Sequence, residues 1–324
     1  MRIVATGTAR PADPGLPGRE LAEPPFSRPG VAAYTPDVPT RPTDADQFDS
    51  QTAFAALLDR RPEVDLGGVL AEIAIDLDSR HHTFDFATWL DTEAAALLDV
   101  IVAGYSPASD PVESAIALFE AIGGRYGLGR READYRDYRS SVVRHVVGTG
   151  RGLPIVLCVI AAELGRRVGL PLQGVSTPGH FLLRLDTPGE PLFFDAYRGG
   201  WLFTADEATD WLARTTGYPR ELIVPSLTPA SPRLIVIRIL ENLKRQLLAA
   251  DDWFRAYPIQ TRLLALRPGQ RGDQIDLAAI AAHGPNPVWA LDTLGQLAPD
   301  ATPTERQRLL AITEAARQSL VRLN

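Results

Sequence analysis

Residues 154–168 read PIVLCVIAAELGRRV, apolar almost all round and charged only at Glu163, Arg166 and Arg167 near the end. A helix without a polar face belongs inside a domain, so the remainder of the chain has to wrap this one. Pro154 suits the first helical position, where its missing N–H has no partner to lose. Gly169 with Pro171 just beyond supplies the stop.

After that stop the hydrophobic period changes from helical to extended. LQGVST, HFLLRL, LFFD and WLF are separated by turn residues at 178–179, 186–189 and 199–200, and read as consecutive antiparallel strands. A hairpin folded symmetrically about Thr187 and Pro188 pairs Asp186 with Gly189, and further along pairs His180 with Asp195. Residues directly opposite in such a pair share a face, with Cβ atoms about 4.5–5.5 Å apart. The expectation is therefore a His180–Asp195 hydrogen bond that fixes the imidazole tautomer and leaves the other ring nitrogen for a substrate or nucleophile.

The helix, the two Gly-Leu-Pro elements at 152–154 and 169–171, the PGHF at 178–181 and the FFD-x3-GG at 193–200 stand in an order that resembles the transglutaminase-like core of the bacterial SirB-type family, within the papain-like cysteine hydrolase and transferase superfamily. The likeness runs from about residue 54 to the C-terminus and is specific only when these motifs are taken together. It implies an α+β fold, with a central helix packed on a small antiparallel sheet, an N-terminal helical layer and a C-terminal helical appendage. It also implies that His180 and Asp195 occupy the His and Asp places of a Cys-His-Asp triad.

The third member departs from the pattern. Active transglutaminase-type enzymes place their Cys at the N-terminus of the central helix, where free N–H groups and the positive end of the dipole lower the thiol pKa. Counting back fifteen residues from the second Gly-Leu-Pro lands on Pro154, which has no nucleophile. The single Cys of the chain is Cys158, one helical turn deeper on the same face. Three readings follow: an inert core thiol, a displaced register in which Cys158 is the nucleophile, and a site that uses substrate or water without a protein nucleophile. The first agrees with the usual behaviour of free Cys as a small buried hydrophobe.

Composition narrows the partners. With 324 residues, 45% of them hydrophobic, the chain can bury a substantial core. A net charge of −7 without any basic cluster argues against nucleic acid. One Cys excludes an intramolecular disulfide framework and a Cys-rich metal site. The adjacent His81 and His82 make a poor chelate without two further ligands, so no metal and no cofactor is assigned. The opening MRIVATGTARPADP lacks an apolar signal core, and no later run matches a membrane span. A cytoplasmic protein with no membrane partner is expected.

Three regions are expected along the chain. Residues 1–47 hold nine prolines between Pro11 and Pro42 and read as a disordered tail, with Phe26 and Tyr34 as its anchors if it binds anything. Residues 48–225 read as the transglutaminase-like domain. Its early part carries apolar stripes at helical spacing through Leu66 to Leu77, Leu90 to Ile101 and Val112 to Ile122. Residues 226–324 read as helical and tetratricopeptide-like, because LLALRP and LGQLAP recur thirty-one residues apart. Trp253 and Trp289 are assigned to core in that region.

Before the central helix, the family resemblance places a Tyr-containing pattern ending in Asn-Ser, where this chain has Ser140 and Ser141. Tyr138, Ser140 and Ser141 are candidates to border a cleft and bind a polar group. The competing reading has the hydroxyls capping a helix at Val142 and Val143. Two function classes stand open. One is a non-catalytic protein whose cleft binds a peptide or partner protein. The other is a thiol peptidase, amidase or acyl transferase using Cys158, His180 and Asp195.

Overall fold

A computed structural model describes residues 48–61, 63–102 and 104–323. The proline-rich stretch 1–47, with Phe26 and Tyr34, lies outside these residues. The first helices are α1 (Ala53–Leu58), α2 (Leu66–Leu77), α3 (Phe86–Val102), α4 (Pro111–Tyr126) and α5 (Val143–Thr149). Their starts follow local chemistry. Thr52 and Asp65 accept from backbone N–H groups in the first turns of α1 and α2. Pro111 opens α4, although Asp110 turns its carboxylate back to Ser106 and leaves the helix uncapped by a side chain.

The apolar helix is α6 (Pro154–Arg167), and eleven of its fourteen residues are buried. Such burial follows from its lack of a polar face. The C-terminus closes as a Schellman motif: Leu170 N–H donates to Gly165 O at 2.7 Å and Gly169 N–H to Arg166 O at 3.3 Å, with Gly169 at φ +83°. Glu163, the one acid of the helix, is held by Arg166 and Arg167 at 3.0 and 2.7 Å.

A four-stranded antiparallel meander follows: β1 (Gln173–Thr177), β2 (His180–Leu185), β3 (Leu192–Asp195) and β4 (Trp201–Phe203), in the spatial order β1-β2-β3-β4. Alternation sends Phe181, Leu183, Leu185 and Phe194 into the main core around α6. The opposite face carries Val175, Leu182 and Phe193 into a second core. That core is closed by Ala208 and Leu212 of α7 (Ala205–Thr216), which starts in a full capping box between Thr204 and Glu207. The short α8 (Arg220–Ile223) adds Ile223 beneath it. A sheet covered on both faces is thus inserted between the buried helix and an amphipathic one.

The remaining helices are α9 (Pro232–Ala249), α10 (Trp253–Leu266), α11 (Arg271–Ala282), α12 (Pro287–Leu297) and α13 (Pro303–Leu323). Neighbours in this series pack against each other, and α10 and α12 end thirty-one residues apart, as the repeated sequence does. Buried Arg262 of α10 ties the series to α2 through Asp76 at 2.5 Å and Glu72 at 3.3 Å. Trp253 is half-buried and stacks on His283 at 4.0 Å between ring centres. Among the described residues no single helix is long and apolar enough to cross a membrane. The pair α5 and α6 satisfies such a test only jointly, and is bent by 86° between them.

Candidate functional site

The β1–β2 connection is a two-residue turn, Pro178 and Gly179, in which Gly179 takes φ +73°. Thr177 Oγ1 donates to the His180 carbonyl at 3.0 Å and fixes the first residue of β2. The β2–β3 hairpin departs from the expected symmetric fold. Leu185 pairs with Leu192 and Leu183 with Phe194, and the same register places Asp195 opposite Leu182 instead of His180. Thr187 is the local cause: its hydroxyl donates to Glu190 O at 2.8 Å and accepts from Gly189 N–H at 3.2 Å, which builds a wider loop.

A two-residue displacement preserves the face of the sheet, because the side-chain period is two. His180 and Asp195 therefore meet across a diagonal. His180 Nε2 lies 3.2 Å from Asp195 Oδ2, both atoms buried, but the two are not aligned as a hydrogen bond. This corrects the expected hydrogen bond to a close polar contact, and the diagonal placement is the reason for the poor alignment. Asp195 is fully buried. Its Oδ1 accepts from Tyr197 N–H at 3.0 Å, and Arg198 Nε stands 3.7 Å from Oδ2. The imidazole meets Trp211 edge-on at 5.0 Å, and Arg198 also lies 5.0 Å over the same indole. Contact of Nε2 with Asp195 leaves Nδ1 as the ring nitrogen for the cleft that His180 lines.

That cleft, of about 1200 Å³, opens at the N-terminus of α6, where Leu153, Pro154 and Ile155 form one wall. Ser176, His180 and Phe181 form the second. The third wall is α9, through Ile237 and Arg238 among others, although the sequence division assigns α9 to the C-terminal helical region. At the helix terminus where a nucleophile would benefit from the dipole stands Pro154, as the residue count implies.

Cys158 is brought to the inner side of the sheet. It is 0% exposed, and its thiol donates to the Phe181 carbonyl at 3.7 Å. Burial, reinforced by the charge of Asp195, pushes the thiol well above its usual pKa. Phe181 turns its ring toward α6, so the side chain of the preceding His180 leaves from the other face of β2. The structure thus brings His180 to Asp195 and separates the imidazole from Cys158.

Tyr138, Ser140 and Ser141 do not line the cleft. All three lie in the 3-10 turn Tyr138–Ser141, where Arg255 stacks on Tyr138 at 5.6 Å. Ser140 Oγ donates to Asp134 O at 2.9 Å, while the Ser141 hydroxyl is buried without a partner among the described residues. Neither caps α5, whose N-cap is Val142 with no side-chain bond, so the capping expectation also fails. The carbonyl of Ser140 instead accepts from Leu153 N–H at 2.9 Å, which ties this turn to the start of α6. Tyr135 and Arg136, just upstream, are the residues of this segment that reach the cleft. On α9 the cleft-facing residues Leu234, Ile237, Arg238, Glu241, Asn242 and Arg245 share one side of the helix; the sequence shows Leu234 and Ile237 in its apolar stripe but not that the polar residues beside them face a cleft. His81 and His82 sit in the turn Ser79–Thr83, and among the described residues no group of three His, Cys, Asp or Glu is placed to hold a metal ion.

Comparison with known proteins adds three findings. Residues 89–241 match a family model described as the transglutaminase-like superfamily. The chain is similar to a UPF0162 protein of Xylella fastidiosa, 36% identical over 149 residues, covering 45% of this chain and 53% of the relative. It is also similar to a UPF0162 protein of Pseudomonas aeruginosa, 35% identical over 130 residues, covering 40% and 47%. The chain thus spans about half the length of the curated relatives it matches. No solved structure matches it.

Proposed function

We propose, from the premise that residues 89–241 belong to the transglutaminase-like superfamily, that the cleft at the start of α6 binds an extended peptide or a segment of a partner protein without covalent chemistry. The observation that carries this reading is the pairing of Pro154 at the helix terminus with a Cys158 that is 0% exposed. Thiol catalysis requires thiolate, access and an adjacent base. Cys158 has a thiol held protonated by burial and a sheet between it and the imidazole. His180 and Asp195 are then binding and structural residues: the carboxylate holds the turn of Tyr197 and His180 lines one wall of the cleft.

The SirB-type assignment, the tetratricopeptide-like character of α10 to α13 and a cytoplasmic location belong to the same proposal. The sequence motifs and the helical hairpins support the first two.

The test is a random heptapeptide display library selected on the whole chain and counter-selected on Ile237→Trp, which fills the cleft from α9. Recovered peptides are incubated with the wild type and with Cys158→Ala and weighed by mass spectrometry. The expected outcome is a set of peptides that depend on an open cleft, bind Cys158→Ala as well as the wild type, and come back with unchanged mass. Failure to recover any cleft-dependent peptide, or a peptide cut or acylated by the wild type and not by Cys158→Ala, overturns the reading.

A further inference from the structure

We infer that the cleft is built for an anionic group, and that its peptide is acidic, with a carboxylate seated on Arg238. The inference rests on the peptide-binding reading above and narrows it. Arg238 is half-buried in the wall formed by α9. Its Nη1 donates to Ser176 Oγ at 2.8 Å and to Thr177 O at 2.7 Å, and its guanidinium lies 5.8 Å over the Phe181 ring. The guanidinium is therefore oriented before any ligand arrives. Of its five N–H donors, those on Nε and Nη2 meet no acceptor among the described residues, and no carboxylate among them lies within ion-pair distance. A planar fork with one arm anchored and its other edge free is suited to a two-oxygen acceptor.

Arg238 is not alone. Among the described residues Arg245, two turns along the same face of α9, has a hydrogen bond only to Asn242 Oδ1, at 3.4 Å, and Arg136 on the opposite rim pairs with no carboxylate. The one acid in the wall, Glu241, is drawn to Arg267 at 2.5 Å and Lys244 at 3.3 Å. Elsewhere the chain pairs buried Arg262 with Asp76 and Glu72, and half-buried Arg267 with Glu241 and Asp273. A chain of net charge −7 has thus gathered around one concavity three cations that have no carboxylate partner among the described residues. Desolvating half-buried Arg238 without a partner is unfavourable, while exposed Arg245 and Arg136 at the rim add to the positive field that the concave wall focuses on whatever enters. The arrangement is offset when the ligand supplies the counter-charge. Leu153, Ile155, Leu234 and Ile237 beside these cations provide apolar surface for the residues flanking the acid.

The experiment uses the whole chain and three fluorescein-labelled heptapeptide mixtures, read by fluorescence polarisation. The first is amidated at its C-terminus and fixes Asp or Glu at the centre, the other positions being drawn from Ala, Gly, Ser and Leu. The second replaces the central acid by Asn or Gln. The third keeps the neutral centre but has a free C-terminal carboxylate. The acidic mixture is expected to bind on the order of tenfold tighter than the neutral amidated one. Raising salt from about 50 to about 300 mM should weaken it. Arg238→Gln should abolish the preference and Arg238→Lys restore part of it. Because Arg238→Gln also removes the contacts to Ser176 and Thr177, the exposed Arg245→Gln is measured beside it and should lower the preference several-fold with an unchanged urea midpoint. Preference for the third mixture over the second assigns the carboxylate to a chain end, whereas preference for the first alone assigns it to a side chain. Equal binding of all three that is lost in Ile237→Trp defeats the anionic inference and leaves peptide binding standing. No binding by any mixture defeats both.

Discussion

The Cys158 thiol donates to the carbonyl of Phe181, one residue beyond His180, and yet thiol and imidazole lie on opposite faces of the sheet. Alternation along β2 enforces this separation: Phe181 faces α6 as Leu183 and Leu185 do, and His180 faces Trp211. Closing a triad from this arrangement needs β2 to turn over, which would expose Phe181, Leu183 and Leu185 together. Burying three large apolar side chains contributes about 5–9 kcal/mol at the usual value per residue.

Native protein should therefore react slowly with iodoacetamide near neutral pH, and denaturant should unmask the thiol. Labelling is followed by mass spectrometry with and without urea. Rapid native labelling that disappears in His180→Ala would establish Cys158 as a nucleophile and remove the inert-thiol reading.

Asp195→Ala should destabilise the fold by about 2–4 kcal/mol, because it leaves the N–H of Tyr197 without its acceptor and opens a cavity beside His180 where the fully buried carboxylate stood. Urea denaturation gives the number. A loss below about 0.5 kcal/mol, the range of ordinary surface substitutions, would mean that the buried carboxylate holds nothing in place.

Two glycines make an internal comparison. Gly200 follows β3 at φ +84°, and a Cβ there would stand 2.3 Å from the Phe119 ring. Gly124 lies exposed in α4 with open space where its Cβ would go. Gly200→Ala should cost about 2 kcal/mol or more, from left-handed strain and overpacking. Gly124→Ala should stabilise by about 0.5–1 kcal/mol. Thermal melts of the two variants should move in opposite directions, and matching shifts would contradict the crowding at Gly200 or the open space at Gly124.

Helix and strand boundaries around the site were legible because strong local signals coincide with them. Pro154 opens α6, Pro232 opens α9, and Pro178-Gly179 separates β1 from β2. The hairpin register was not legible, since it depends on two hydrogen bonds of Thr187 that no hydrophobic pattern reports. The His180–Asp195 contact was still foreseeable, because a displacement of two leaves the face unchanged. The cleft's third wall was hidden for a different reason. Arg238 and Arg245 look like any solvated helix face until α9 is folded back against β1 and the start of α6, and that placement is long-range. Ser140 and Ser141 misled in the same way: their hydroxyls suit a cap, but the segment from Asp134 turns back so that a carbonyl takes the Ser140 proton.

The state of Cys158 also sets a pH dependence of stability whose sign separates the two readings of this thiol. Burial raises the folded pKa above the unfolded value of about 8.5. Below that value both states hold the proton and the thiol contributes nothing pH-dependent. Above it the unfolded chain releases the proton and the native one keeps it, so stability falls as pH rises, by at most about 1.4 kcal/mol per unit for this one group. Urea unfolding of the wild type and Cys158→Ala, compared from about pH 7 to about pH 10, isolates the contribution. The stability of the wild type relative to Cys158→Ala should be constant to about pH 8.5 and then decline. A thiol activated by His180 would have a depressed folded pKa, which gives the opposite sign: the relative stability of the wild type would already be rising through neutral pH as the unfolded chain, and not the native one, holds the proton. A rising difference would therefore overturn the buried-thiol assignment and with it the non-covalent reading of the cleft.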